Sequence, residues 1–297
     1  MWRPTMPDAD NPTARPYASL SIEEVEANVQ RNLARRESRE RVSAVVYPVG
    51  VVLAVFVLWE AGTRAFGIPT FLLPPPSIIA VSMTANAPLL LVHGWVTTVE
   101  IMLGFLLSIV VGIPLALAIF LSPPFARSIL PLLVSSQAMP KVAVAPLLLV
   151  WFGFGLLPKV LIAFLIAFFP VVINTAVGLA SIEPEKIDLA RSMGFGRVAT
   201  FFKIRLPNAL PAIFGGLKIS ITLAVVGAVV GEFVGGDAGL GYLLMVANGS
   251  MDTALLFAGL VALTVLGVVL FLLIEIAERL AVPRHIISGN PAARESM

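Results

Sequence analysis

Long uncharged apolar runs alternate along this chain with short polar segments, and the runs have the length of membrane-crossing helices. Residues 42–59 form one run, ending at Glu60. Residues 101–121 form another, after a polar turn expected around His93–Glu100. Residues 160–182 carry no charge between Lys159 and Glu183, and residues 253–274 carry none between Asp252 and Glu275. Each run approaches the ~20 residues that a helix needs to cross the hydrocarbon core of a bilayer. Ala209–Gly235 makes a further span if Lys218, near one end, extends its ammonium to the headgroups. From Ser128 to Pro158 only Lys141 is charged, yet Pro131, Pro140, Pro146 and Pro158 punctuate the stretch. It is too long for one helix and too short for two, so one broken span is expected, preceded by a short tilted segment over Pro131–Met139. Non-helical backbone survives at membrane depth only against protein or a water-filled cavity. The broken span is therefore expected near a pathway or a subunit contact. The total is six spans.

The polar segments divide the rest. Residues 1–41 hold no apolar run, so they do not read as a signal peptide. Residues 1–19 contain four prolines and read as disordered. Ser21 and Glu24 can form a capping box, followed by a narrow apolar stripe of Leu20, Ile22, Val25, Val29 and Leu33. That helix either lies on an anionic leaflet or is solvated and serves only to fix topology. The expected organisation is an N-terminal segment 1–41, a membrane domain 42–283 containing a loop 183–211, and a tail 284–297.

Composition agrees with a bilayer as solvent: 58% of the 297 residues are hydrophobic and 13% charged, against about a quarter charged in soluble domains. With no cysteine and only His93 and His285, thiolate chemistry and a histidine metal cluster within one chain are excluded. No phosphate-binding loop with its lysine is present; the glycines of Gly235–Gly241 match no nucleotide fingerprint. Charge placement sets orientation. Seventeen of the 20 Lys and Arg fall in segments 1–43, 122–128, 182–218 and 277–297, which alternate with the spans so that one side of the membrane collects them. By the positive-inside rule that side is cytoplasmic, and both termini lie there.

The polar segment Glu183–Pro211 carries the most information. Pro184 suits a first helical turn, Ile187, Ala190 and Met193 share a face, and Gly194 supplies a left-handed stop. A second short helix, about Gly196 to Arg205 with Val198, Phe201 and Phe202 apolar, is expected to end before Pro207. Two short amphipathic helices at an angle form a knob suited to a groove on a partner.

Asp188-Leu189-Ala190, three residues, Gly194, nine residues, Ile204, Arg205, Leu206-Pro207 resembles the cytoplasmic Glu-Ala-Ala motif of the permease subunits of bacterial ABC importers. The spacing matches throughout, with Asp for Glu and Leu for the first Ala. The resemblance extends over roughly residues 45–283. Ser136-Gln-Ala-Met-Pro-Lys-Val-Ala-Val-Ala-Pro146, Val150-Trp-Phe-Gly-Phe154, Val230-Gly-Glu-Phe-Val-Gly-Gly and Gly239-Leu-Gly-Tyr242 resemble the subgroup that serves nitrate, sulfonates such as taurine, riboflavin and pyrimidine precursors of thiamine. It implies an all-α integral membrane fold of six transmembrane helices, of the type I importer kind, in a bacterial inner membrane. It also implies that Asp188, Ala190, Gly194, Ile204, Leu206 and Pro207 form a coupling helix. The partners implied are two copies of an ATPase subunit holding ATP and Mg, an extracytoplasmic binding protein and a second permease copy, identical or similar. No cofactor is expected in this chain, and no nucleic acid.

Ionisable and polar groups at membrane depth are functional candidates. Glu60 and Glu275 sit at span ends, where the interface explains them. Glu100 and Glu232 can shape a vestibule, or can cap helices or pair with Lys141 or Lys159. Lys141 suits an anionic solute or neutralises a carboxylate. Ser135, Ser136, Gln137, Asn174 and Thr175 are further pathway candidates, each equally able to make a helix–helix hydrogen bond. An ion-coupled secondary transporter is the alternative, but it requires midplane ion ligands and usually an internal repeat. Neither is evident. An intramembrane enzyme finds no catalytic constellation around His93 or His285.

Overall fold

The apolar runs become helices because a backbone in lipid must satisfy its own hydrogen bonds. The structure, a computed structural model, describes residues 46–282 apart from Pro48. The expected amphipathic helix of segment 1–41 and the tail 284–297 lie outside the described residues. The chain divides into two units, residues 1–67 and 68–297. In the first, residues 49–65 are helical (α1). Part of the first expected run, 42–59, falls outside the described residues.

The second unit contains α2 (Pro76–Ala85), α3 (Ala87–Leu121), α4 (Pro123–Gln137), a 3-10 turn (Lys141–Val144) and α5 (Ala145–Phe152). Next come α6 (Leu156–Ala180), α7 (Pro184–Ser192), α8 (Arg197–Thr200), a π-helical stretch (Phe201–Arg205), α9 (Leu206–Gly235), α10 (Leu240–Gly249) and α11 (Thr253–Ala281). Among the described residues four helices are long and apolar enough to cross a membrane, or five if the bent pair α4 and Lys141–Phe152 is one span. The chain is thus an all-helical, multi-pass membrane protein.

Three expectations are corrected. The polar turn around His93–Glu100 is helical and belongs to α3, which starts at Ala87. The break in the bent span falls after Gln137, with an 85° turn; Pro131 lies inside α4 and starts no separate segment. Finally, the helix from Arg197 does not stop before Pro207. It continues as one 39-residue rod, Arg197–Gly235. A π-helical stretch, Phe201–Arg205, ends two residues before the proline. Proline has no N–H to give, and a wider turn there eases its clash with the preceding carbonyls.

Helix α6 is the spine, flanked by α3 and α9, and small residues set the approach. A Cβ on Gly104 of α3 would come within 2.5 Å of Ala163 Cβ, and one on Gly227 of α9 within 2.5 Å of Ala163 Cα. Ala163 itself is fully buried. In lipid, where apolar side chains gain nothing by avoiding tails, such close backbone approach supplies the packing energy. Ser220 Oγ on α9 donates to the Ala167 carbonyl on α6 at 2.7 Å, stitching the same contact. Around it Ile101, Phe105, Val171, Ile213, Leu217 and Ile221 fill the core.

Candidate functional site

At one end of the bundle α7 and α8 form the expected knob. Pro184 lies in the first turn of α7. At its other end the Phe195 N–H reaches back to the Ala190 carbonyl at 3.0 Å and the Gly194 N–H to Arg191 at 3.0 Å. Gly194 has φ 82°, the left-handed conformation that this closure needs. Ala190 is buried, Ile187 is half-buried, and Asp188 is exposed, 3.3 Å from Arg191. Leu189, Met193, Val198 and Phe202 are all more than 60% exposed. The knob therefore presents large apolar side chains amid the exposed charges of Arg191, Arg197 and Lys203. Ile204, Leu206 and Pro207 are half-buried where the knob joins α9, and Leu206 packs against the core. Arg205 anchors that junction. Its guanidinium lies over the Phe120 ring at 4.9 Å and donates to the Leu179 carbonyl at 3.4 Å, tying the knob to the ends of α3 and α6.

At the opposite end a buried polar cluster joins four elements. Lys159 of α6 lies 2.9 Å from Glu100 Oε1 of α3, and both side chains are closed to solvent. The same ammonium reaches the exposed Asp237 carboxylate and the Ala238 carbonyl, each at 3.4 Å. Asp237 is held below the usual carboxylate range, first by its own backbone N–H and then by Lys159. Glu232 of α9 accepts from the Thr97 hydroxyl at 2.6 Å and from the Gly241 N–H. Thr97 Oγ1 in turn accepts the Leu240 N–H at 2.8 Å. His93 Nδ1 accepts the Gly239 N–H at 3.0 Å, so its ring hydrogen sits on Nε2. Gly239, at φ 116°, is required twice over: a Cβ there would also collide with the Glu232 carboxylate. These bonds hold the turn 236–239 and the start of α10 against α3.

The remaining polar candidates occupy two other places. Ser135, Ser136 and Gln137 are exposed at the end of α4, and Lys141 begins the 3-10 turn after the bend. Lys141 is half-buried, bonds the Gln137 side-chain oxygen and lies 5.9 Å from the Phe169 ring centroid. Asn174 and Thr175 lie elsewhere, on α6 beyond Pro170. Asn174 donates to the Pro170 carbonyl at 2.9 Å, and a Cβ on Gly216 of α9 would come within 2.6 Å of it. Thr175 is buried, and its hydroxyl bonds none of the described residues.

The structure thus groups Ser135, Ser136, Gln137 and Lys141 at the bend and Glu100 with Glu232 at the polar cluster. Glu100 pairs with Lys159, one of the two lysines that sequence offered. Thr97, His93, Asp237, Gly239 and Gly241 were not foreseen as members of that cluster. The signal for the two glycines was present in the Gly239-Leu-Gly-Tyr242 stretch, but nothing local to Thr97 connects it with Glu232, 135 residues away.

Comparison with known proteins agrees with this architecture. The family model described as binding-protein-dependent transport system inner membrane component matches residues 104–286. The riboflavin transport system permease protein RibX of Chloroflexus aurantiacus is 39% identical, over 80% of this chain and 90% of that protein. The formylaminopyrimidine transport permease protein ThiX of Halalkalibacterium halodurans is 35% identical, over 80% and 94% respectively. A chain of the MetNI methionine ABC transporter, solved in inward-facing conformations, shares the fold with a TM-score of 0.57 at 21% identity, covering 68% of this chain and 98% of that one. The chain belongs to the binding-protein-dependent transport system inner membrane components, the permeases of ABC importers.

Proposed function

We propose that this chain forms the solute pathway of an ATP-driven importer, with two such subunits, identical or similar, docked on two copies of a separate ATPase that holds ATP and Mg. The chain itself is non-catalytic. An extracytoplasmic binding protein delivers a small solute to the face bearing the polar cluster, and the knob faces the cytoplasm with both termini. The observation that carries this reading is the knob, whose exposed Leu189, Met193, Val198 and Phe202 stand at the end of a helix leading into the core. Large apolar side chains exposed beside charges on a short helix pair suit insertion into a groove. ATP binding in the partner must favour one of two global states through that contact, or no transport follows.

The relatives named for riboflavin and formylaminopyrimidine support a small heterocyclic solute; a sulfonate such as taurine is the second choice. Affinity purification of the tagged chain in mild detergent, with mass spectrometry of its companions, tests the coupling. Recovery of an ATPase subunit, lost in Gly194→Arg, is the expected result. A chain that purifies alone under all conditions overturns the reading and shifts weight to an ion-coupled transporter.

A further inference from the structure

Lys141 lies beside the middle of α6, a helix of the length that crosses a bilayer. Its ammonium is over Phe169, 13 residues from one end of α6 and 11 from the other, or about 20 Å and about 16 Å at 1.5 Å per residue. A four-methylene stem reaches neither headgroup layer from there. An ammonium left in hydrocarbon is costly, so this one faces protein or water. The backbone agrees: residues 138–140, just before it, are not helical, and such backbone at this depth lies against protein or a wet cavity.

Among the described residues no carboxylate pairs with Lys141, whose bonded partner is the Gln137 amide oxygen. Glu100 and Glu232 are buried and engaged in their own cluster at one end of the bundle. Every other Asp and Glu lies near a helix end, in a loop or in the polar terminal segments. Meanwhile the Ser135 hydroxyl and the Gln137 amide hydrogens stand exposed just before the bend, while the Ser136 hydroxyl donates to the Leu133 carbonyl at 2.7 Å. Ammonium, hydroxyl and amide hydrogens together are complementary to electron-rich oxygen.

We propose that Lys141, Gln137 and Ser135 form a midplane subsite of the solute pathway that takes oxygen acceptors of the passing solute, either an oxyanion or a ring carbonyl. This deepens the permease reading and rests on it. The Phe169 ring beside the ammonium gives the site an apolar wall that suits a small organic solute better than a bare inorganic ion.

The chain has no cysteine, so single thiols can report on the site in the assembled transporter. Ser136→Cys, with Ser135→Cys as a second position, is treated with an anionic and a cationic methanethiosulfonate reagent, with and without Lys141→Met. The expected result is faster modification by the anionic reagent, with the anion-to-cation rate ratio falling about tenfold in Lys141→Met, the effect of one unit charge a few ångströms away in a partly aqueous site. Millimolar taurine slowing the reaction assigns the oxyanion; riboflavin slowing it assigns the ring carbonyl. A ratio indifferent to Lys141 overturns the proposal, as do thiols at both positions that stay unreactive while Asp237→Cys reacts. Protection by tetramethylammonium does the same. Co-purification of the ATPase is scored on the same preparations: if it is lost in the unsubstituted chain, the permease reading has failed rather than the subsite.

Discussion

Lys159 Nζ stands 2.9 Å from Glu100 Oε1 in a place closed to solvent, and the ammonium is the cation that makes Glu100 tolerable there. Removing one member of a buried pair strands the other charge and costs about 3–5 kcal/mol. Lys159→Met is therefore expected to lower thermal stability in detergent sharply. The double variant Lys159→Met with Glu100→Gln should recover most of the loss. Equal melting of the single variant and the unsubstituted chain would show that the pair contributes nothing.

The crossing of three helices at Ala163 gives a second prediction. Gly227→Val puts a side chain where the Ala163 backbone already lies, and overpacking of this kind costs about 1–3 kcal/mol. Gly215→Ala on the same helix meets nothing within 4 Å and should be neutral or slightly stabilising, since alanine is the better helix former. Melting curves of the two variants side by side check the contrast.

Glu232 has two acceptor roles, and its variants should separate shape from charge. Glu232→Ala leaves the Gly241 N–H without its acceptor, at about 1–3 kcal/mol, while the Thr97 hydroxyl keeps the His93 carbonyl at 3.2 Å. Glu232→Gln keeps one acceptor and offers an amide to Thr97 Oγ1, so it should be much milder. Unchanged folding and uptake in Glu232→Gln would remove its charge from the transport mechanism. Gly239→Ala should resemble Glu232→Ala, because its Cβ displaces the same carboxylate.

Gly194 divides conformation from docking. Its left-handed backbone makes Gly194→Ala cost about 1–2 kcal/mol, yet a methyl group there meets only open space, so ATPase binding should survive. Gly194→Arg carries the same strain and adds a long cation to the exposed knob. It should abolish co-purification of the ATPase and uptake while leaving membrane insertion intact. Normal uptake by Gly194→Arg would contradict the docking role.

The spans were legible because an apolar run of fixed length is a local property. Gly194 was legible for the same reason: a helix needs a left-handed stop, and glycine supplies it cheaply. The start of α3 was not. His93, Thr97 and Glu100 read as a turn because their polarity was visible and their partners were not; Gly239, Glu232 and Lys159 arrive from other helices. The stop expected before Pro207 failed differently, since a π-helical stretch absorbs the proline and spares the helix. Of the candidate site, the members were read as residue types, but their division between the bend and the far cluster depends on packing that no local pattern encodes.

The unbroken passage through Pro207 makes the knob and Glu232 two parts of one beam. Arg197–Gly235 spans 39 residues, about 58 Å at 1.5 Å per residue. A tilt of about 5° at the α8 end would swing the other end by about 5 Å, close to one helical turn. Under the proposed coupling, a displacement at the docking end would then reach Glu232 and its cluster by leverage alone, with no refolding between them.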